Sequence, residues 1–112
     1  MSELRVNAYH IMWLFVFFDL PTITKVERKH AAQFRKSIEK DGFSMMQYSV
    51  YTRHCASRES CDVHIKRVKG LLPPSGLVSI LSVTDKQFGE IVNFWGEIER
   101  KKMNVPQQLE FF

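Results

Sequence analysis

Eight apolar residues run unbroken from Ile11 to Phe18 and stop at one carboxylate, in Phe18-Asp19-Leu20-Pro21. Branched and aromatic side chains without polar alternation predict a strand covered on both faces, and Asp19 falls where that burial ends. Downstream the period changes. Thr24-Lys25-Val26-Glu27 has capping-box spacing, so a helix is expected from there to about Asp41, with Gly42 as its left-handed stop. Ile23, Ala31, Phe34 and Ile38 share one helical arc and are expected to face the core. From Phe43 to Cys55 the pattern alternates, Tyr48, Val50 and Thr52 against Ser49, Tyr51 and Arg53. With Gln47 near its middle, this stretch reads as two short strands or one strand bent by a bulge. A second helix is expected after Ser57, to about Leu72, with Cys61, Ile65, Val68 and Leu72 as its stripe. Pro73-Pro74-Ser75-Gly76 ends it. Leu77 to Thr84 reads as another strand, and Ile91 to Trp95 as a last candidate.

The order strand, helix, strand pair, helix, strand predicts an α+β, ferredoxin-like βαββαβ fold. Its antiparallel sheet would carry both helices on one face, with an extra C-terminal strand. One domain over residues 1–96 is expected, followed by a tail over 97–112. Composition agrees, since 45% hydrophobic and 25% charged residues in a chain of 112 is ordinary for a globular domain and argues against disorder. The apolar run is well short of the roughly 20 residues that span a bilayer. It also lacks a basic leader and a small-residue cleavage site, so a chain neither secreted nor in a membrane is expected. Cys55 and Cys61 have no zinc-site spacing and fit a reduced, cytoplasmic protein, with Cys61 in the core.

A net charge of +4 says little until its distribution is followed. Lys25, Arg28, Lys29, Arg35, Lys36 and Lys40 fall on an arc of about 140° opposite the apolar one, interrupted only by Glu39. Arg53, His54 and Arg58 can extend that stripe into the second helix. A solvated helix face is the plain reading, and a track for a phosphate backbone is the functional one. The four histidines, His10, His30, His54 and His64, are dispersed without ligand spacing; His30 and His64 read as surface or boundary residues. Asp85 follows a strand as Asp19 does, but Thr84-Asp85-Lys86 also reads as a turn or helix start. At the other end, Leu109, Phe111 and Phe112 gain little by staying in water and are expected to dock on a partner surface.

Several segments carry a family likeness. Trp13-Leu14-Phe15-Val16-Phe17-Phe18-Asp19-Leu20-Pro21, Gly42 with Gln47-Tyr48-Ser49-Val50-Tyr51, Leu72-Pro73-Pro74-Ser75-Gly76 and Val83-Thr84-Asp85-Lys86-Gln87 stand in family order. Over roughly residues 10 to 95 the chain resembles the small CRISPR-associated adaptation protein of the Cas2 family, and most of all members found beside single-protein (type II) effector nucleases. That resemblance implies a homodimer that joins the CRISPR integrase in capturing duplex DNA as new spacers. It also implies that Asp19 binds a divalent metal, Mg²⁺, in a nuclease acting on RNA or duplex DNA, an activity not uniform across the family. In integration the chemistry would belong to the integrase, and the dimer would bridge its subunits and support the prespacer. For the tail, the resemblance implies a segment that crosses to the dimer mate or docks on the integrase.

Physical chemistry leaves two readings of Asp19 open. It can be a turn or cap residue before Pro21. Thr24 and Glu27 already suffice to cap the helix, however, and magnesium accepts one or two carboxylates completed by waters and phosphate oxygens. One acid per chain is a thin ligand set, and a two-fold axis beside the strand end would double it. None of the cationic residues has the pairing pattern of base readout, so sequence-independent contact with phosphates is the expected binding mode.

Overall fold

Alternation decides what each side of the first strand meets. In the computed structural model, which describes residues 11–96, β1 (Met12–Asp19) buries Met12, Leu14, Val16 and Phe18 on one side. Two helices, α1 (Lys25–Lys40) and α2 (Arg58–Gly70), contribute Phe34, Ile38, Cys61 and Val68 to the same core. Trp13, Phe15 and Phe17 point to the opposite side, because successive side chains of a strand alternate. There the cover is partial. A short helix, α3 (Asp85–Gly89), stacks Phe88 on Trp13 with ring centroids 3.8 Å apart, yet Phe17 stays 38% exposed. The expected cover on both faces is therefore corrected: helices close one face, and the other is half open.

β2 (Ser44–Gln47), β3 (Val50–Cys55) and β4 (Leu77–Thr84) complete a sheet in the order β2-β3-β1-β4, with every neighbouring pair antiparallel. The expected α+β, ferredoxin-like arrangement is what the chain adopts. The stretch from Phe43 to Cys55 forms two strands with a register shift between Met45 and Gln47, so the hairpin and the bulge are both present. At the start of α1 the Glu27 amide donates to Thr24 Oγ1 at 3.1 Å, while the Thr24 amide donates to Glu27 Oε1 at 2.9 Å. Gly42 stops the helix at φ 94°. It also makes room for Arg53, whose guanidinium would lie 2.8 Å from a Cβ at that position.

Three expectations fail for local reasons. Ile23 is 87% exposed, because it precedes the cap and so lies outside the helical arc that buries Ala31, Phe34 and Ile38. Leu72 is exposed beyond the end of α2, whose buried stripe is Cys61, His64 and Val68. Residues 91–96 form no strand. Ile91 and Asn93 instead line a cavity with Trp13, Phe88 and the edge-strand residues Ser44 and Met45. His10 and the tail residues Leu109, Phe111 and Phe112 lie outside the described residues. No helix among the described residues is long and apolar enough to cross a membrane. Cys55 and Cys61 are buried free thiols, and burial with the Cys55 contact pushes the Cys61 thiol up to about 12.

Candidate nucleic-acid interface and acidic site

Asp19 ends β1 on the half-open face, paired with Leu77 of β4 and two residues beyond Phe17. Its backbone is held closely. Gly76, at φ 103°, lets the turn into β4 approach so far that a Cβ there would meet Asp19 O at 2.9 Å and Leu20 Cδ2 at 2.7 Å. On the other flank the Phe18 amide donates to Ser49 O at 3.1 Å, which ties the β2–β3 turn to the same strand end. The Asp19 side chain is exposed, and among the described residues it makes no hydrogen bond or ion pair. It borders a shallow cavity of about 260 Å³ with Phe17, Ser49, Val50, Leu77 and Ser79. Its carboxylate oxygens are free to take a ligand, so the turn-or-cap reading loses its structural support.

The described residues of one chain do not supply a metal cage. Among the described residues no three His, Cys, Asp or Glu side chains gather into one ligand group. An exposed carboxylate of this kind suits a magnesium ion only if a second carboxylate, waters or phosphate oxygens fill the remaining positions.

The cationic residues divide into two kinds. Lys25, Lys29, Lys36 and Lys40 are exposed along the outer face of α1, as the spacing predicts. Arg28 is exposed but folds back, donating from Nη1 to the carbonyls of Thr22 at 3.1 Å and Ile23 at 2.8 Å. Arg35 turns toward the sheet, its guanidinium carbon 4.4 Å from the Tyr48 ring centroid and 5.4 Å from that of Phe18. Arg53 lies beneath Gly42 with its Nε buried and without a hydrogen-bond partner. Arg58 is exposed at the first turn of α2. Four lysines and Arg58 are thus presented to solvent, whereas Arg35 and Arg53 are engaged with the fold.

Two further polar groups are structural. Asp85 accepts a hydrogen bond from Trp13 Nε1 at 2.7 Å, which occupies one of its oxygens at the first turn of α3. His64 was expected at the surface or boundary. It is buried, with Nδ1 2.7 Å from Asp41 Oδ2, while Arg67 Nη1 donates to Asp41 Oδ1 at 2.9 Å. Burial of Asp41 opposes its charged form, but the hydrogen bonds from His64 and Arg67 prevail and hold its carboxyl below the ordinary 3.8. This cluster joins the end of α1 to α2. Helical periodicity does not reveal it, because its partners stand 23 and 26 positions apart.

Comparison with known proteins shows the family. Residues 12–91 match the family model described as CRISPR associated protein Cas2. A protein of Flavobacterium psychrophilum named CRISPR-associated endoribonuclease Cas2 is 49% identical over 108 residues, covering 96% of this chain and 94% of the relative. Its namesake in Parvibaculum lavamentivorans is 48% identical, over 90% of this chain and 100% of the relative. A third, from Campylobacter jejuni, is 39% identical over 90% of this chain and 71% of its own length. With its whole sheet and both long helices inside the matched region, the chain belongs to the CRISPR-associated Cas2 family.

Proposed function

We propose that the protein acts in CRISPR adaptation as a homodimer that bridges integrase subunits and holds prespacer duplex DNA through phosphates. The observation that carries this reading is the half-open sheet face. Phe17 stands exposed there, stacked on an already buried Phe15 with centroids 5.8 Å apart, and Leu77 and Leu81 stand exposed on the neighbouring strand. An apolar face of this kind is closed most simply by a second copy about a two-fold axis. The lysines of α1 lie on the other side of the molecule, so dimerisation of the sheets would leave both lysine rows free for DNA. The motif order further supports a place beside single-protein effector systems, and the two free, buried cysteines support a place in the cytoplasm.

A second reading is favoured by Asp19. Its carboxylate lies unpaired on the face that would be shared, and the relatives carry the name endoribonuclease. Two copies of Asp19 would then hold Mg²⁺ with phosphate oxygens of RNA or duplex DNA as the remaining ligands. The bound ion would activate a water for phosphodiester hydrolysis. The contribution of this chain is to fix the carboxylate, through Gly76 on one flank and the Phe18–Ser49 hydrogen bond on the other.

Asp19→Ala separates the two roles. With the cognate integrase supplied, spacer integration is expected to continue at the wild-type rate, while metal-dependent cleavage by the purified dimer falls to background. Loss of integration in a folded, dimeric Asp19→Ala protein would overturn bridging as the role. The phosphate track has its own test. Lys29→Glu combined with Lys36→Glu is expected to reduce the slope of log affinity against log salt for duplex DNA by about 1.8, at roughly 0.9 per lost phosphate contact. An unchanged slope would remove α1 from the interface.

A further inference from the structure

We propose that Tyr48, backed by Arg35, is a stacking platform for an unpaired nucleobase, so that this end of the sheet takes single-stranded nucleic acid. The proposal rests on the nucleic-acid reading above and names a residue that it leaves open.

Tyr48 occupies the two-residue turn between β2 and β3, where Gln47 pairs with Val50. Its neighbour Ser49 stands at φ 73°, a left-handed conformation that a residue other than glycine adopts at a cost. The turn presents Tyr48 to solvent, the residue being 74% exposed. An aromatic ring left in water at a strained turn has not been placed there by burial. Arg35 supports it from α1, its guanidinium over Tyr48 at 4.4 Å and over Phe18 at 5.4 Å, with Nε buried and unpartnered. That guanidinium is committed to the rings in preference to a hydrogen bond through Nε. One side of the tyrosine thus meets a fixed cation, and the exposed remainder is available to a second flat group.

Charge and position favour a base over an apolar side chain. A cation beneath the ring attracts a polyanion, and Lys36, the next residue along α1, is exposed. Asp19 belongs to the same strand end, because Ser49 O accepts the hydrogen bond of the Phe18 amide. Bases inside a duplex are already paired and stacked, whereas unpaired bases gain from an aromatic platform.

The experiment is fluorescence anisotropy with a short labelled single-stranded RNA and a duplex DNA of matching sequence, at fixed salt, for wild type, Tyr48→Ala and Tyr48→Phe. Loss of the ring is expected to weaken single-strand binding about tenfold while changing duplex binding less than about twofold. Tyr48→Phe is expected to stay within about twofold of wild type on both, since the ring and not the hydroxyl stacks. Unchanged single-strand affinity in Tyr48→Ala, or an equal loss in Tyr48→Phe, would overturn the proposal. So would a Tyr48→Ala protein that sediments as a monomer but binds RNA as before, which would assign Tyr48 to contact between copies. Wild type that binds neither probe would overturn the nucleic-acid reading itself.

Discussion

Phe17→Lys is expected to yield a folded chain that sediments as a monomer at concentrations where the wild type forms the proposed dimer. Phe17 belongs to the sheet face away from the helices and contributes nothing to the core cluster, so the fold loses little. In the proposed dimer the loss is counted twice, once for each copy. Burying a phenylalanine is worth about 1.5–3 kcal/mol, and the partial cover already given to Phe17 puts two copies near the lower end, at about 3 kcal/mol. That corresponds to a dissociation constant raised by roughly a hundredfold. Two lysines brought together in an apolar interface would weaken it further by repulsion and desolvation. Sedimentation velocity across a dilution series reads the result directly. A dimer of wild-type affinity would place the interface elsewhere, and Asp19 would then have no second carboxylate by this route.

Asp41→Ala is expected to be among the most damaging single changes away from the apolar core. The carboxylate, with its side chain only 9% exposed, is the hydrogen-bond partner of buried His64 and closes the end of α1 onto α2. Its removal leaves a buried imidazole nitrogen unpaired, at a cost of about 2–3 kcal/mol. For a domain of this size the melting temperature should fall by roughly 10 °C. The bond to Arg67 adds little, because that guanidinium is well exposed. Asp41→Asn keeps an acceptor and should lose less. The sign of the pH dependence follows from the lowered carboxyl. A group whose folded value lies below its ordinary 3.8 stabilises fully above 3.8 and loses that contribution as pH falls through the folded value. Urea unfolding should therefore show the full gap between wild type and Asp41→Ala near neutrality, and a narrowing gap in acid below pH 3.8.

Much of the fold was legible because local rules and tertiary packing agree. Thr24 and Glu27 announce the start of α1 by their spacing alone, and Gly42 its end, since both are contacts between near neighbours. β1 was harder. An uninterrupted apolar run gives no clue to which face meets helices, and Phe17 reads the same as Phe18 although only Phe18 reaches the core. Asp19 could be chosen as the chemical candidate from its place at the end of that run, but its unpaired state required the surroundings. The basic stripe was half legible for a related reason. Helical angle separates Lys29 and Lys36 from the core, yet it cannot say that Arg35 bends back onto Tyr48 or that Arg28 returns to the carbonyls before α1. Long side chains choose partners within several ångströms of their own arc, and those partners come from other elements. The His64–Asp41 pair escaped for the same cause.

The two sides of β1 make the strand an alternating text of eight letters. Met12, Leu14, Val16 and Phe18 spell the stability of one copy, while Phe15, Phe17 and Asp19 spell what copies would do together. A one-residue shift of register would exchange the two messages, sending the carboxylate among the helices and the core leucine into solvent. Gly76, pressed against the backbone at Asp19, and Ser49, bonded to Phe18, act as punctuation at the end of that text. The reading frame of the acid is thereby anchored by two turns that carry no acid of their own.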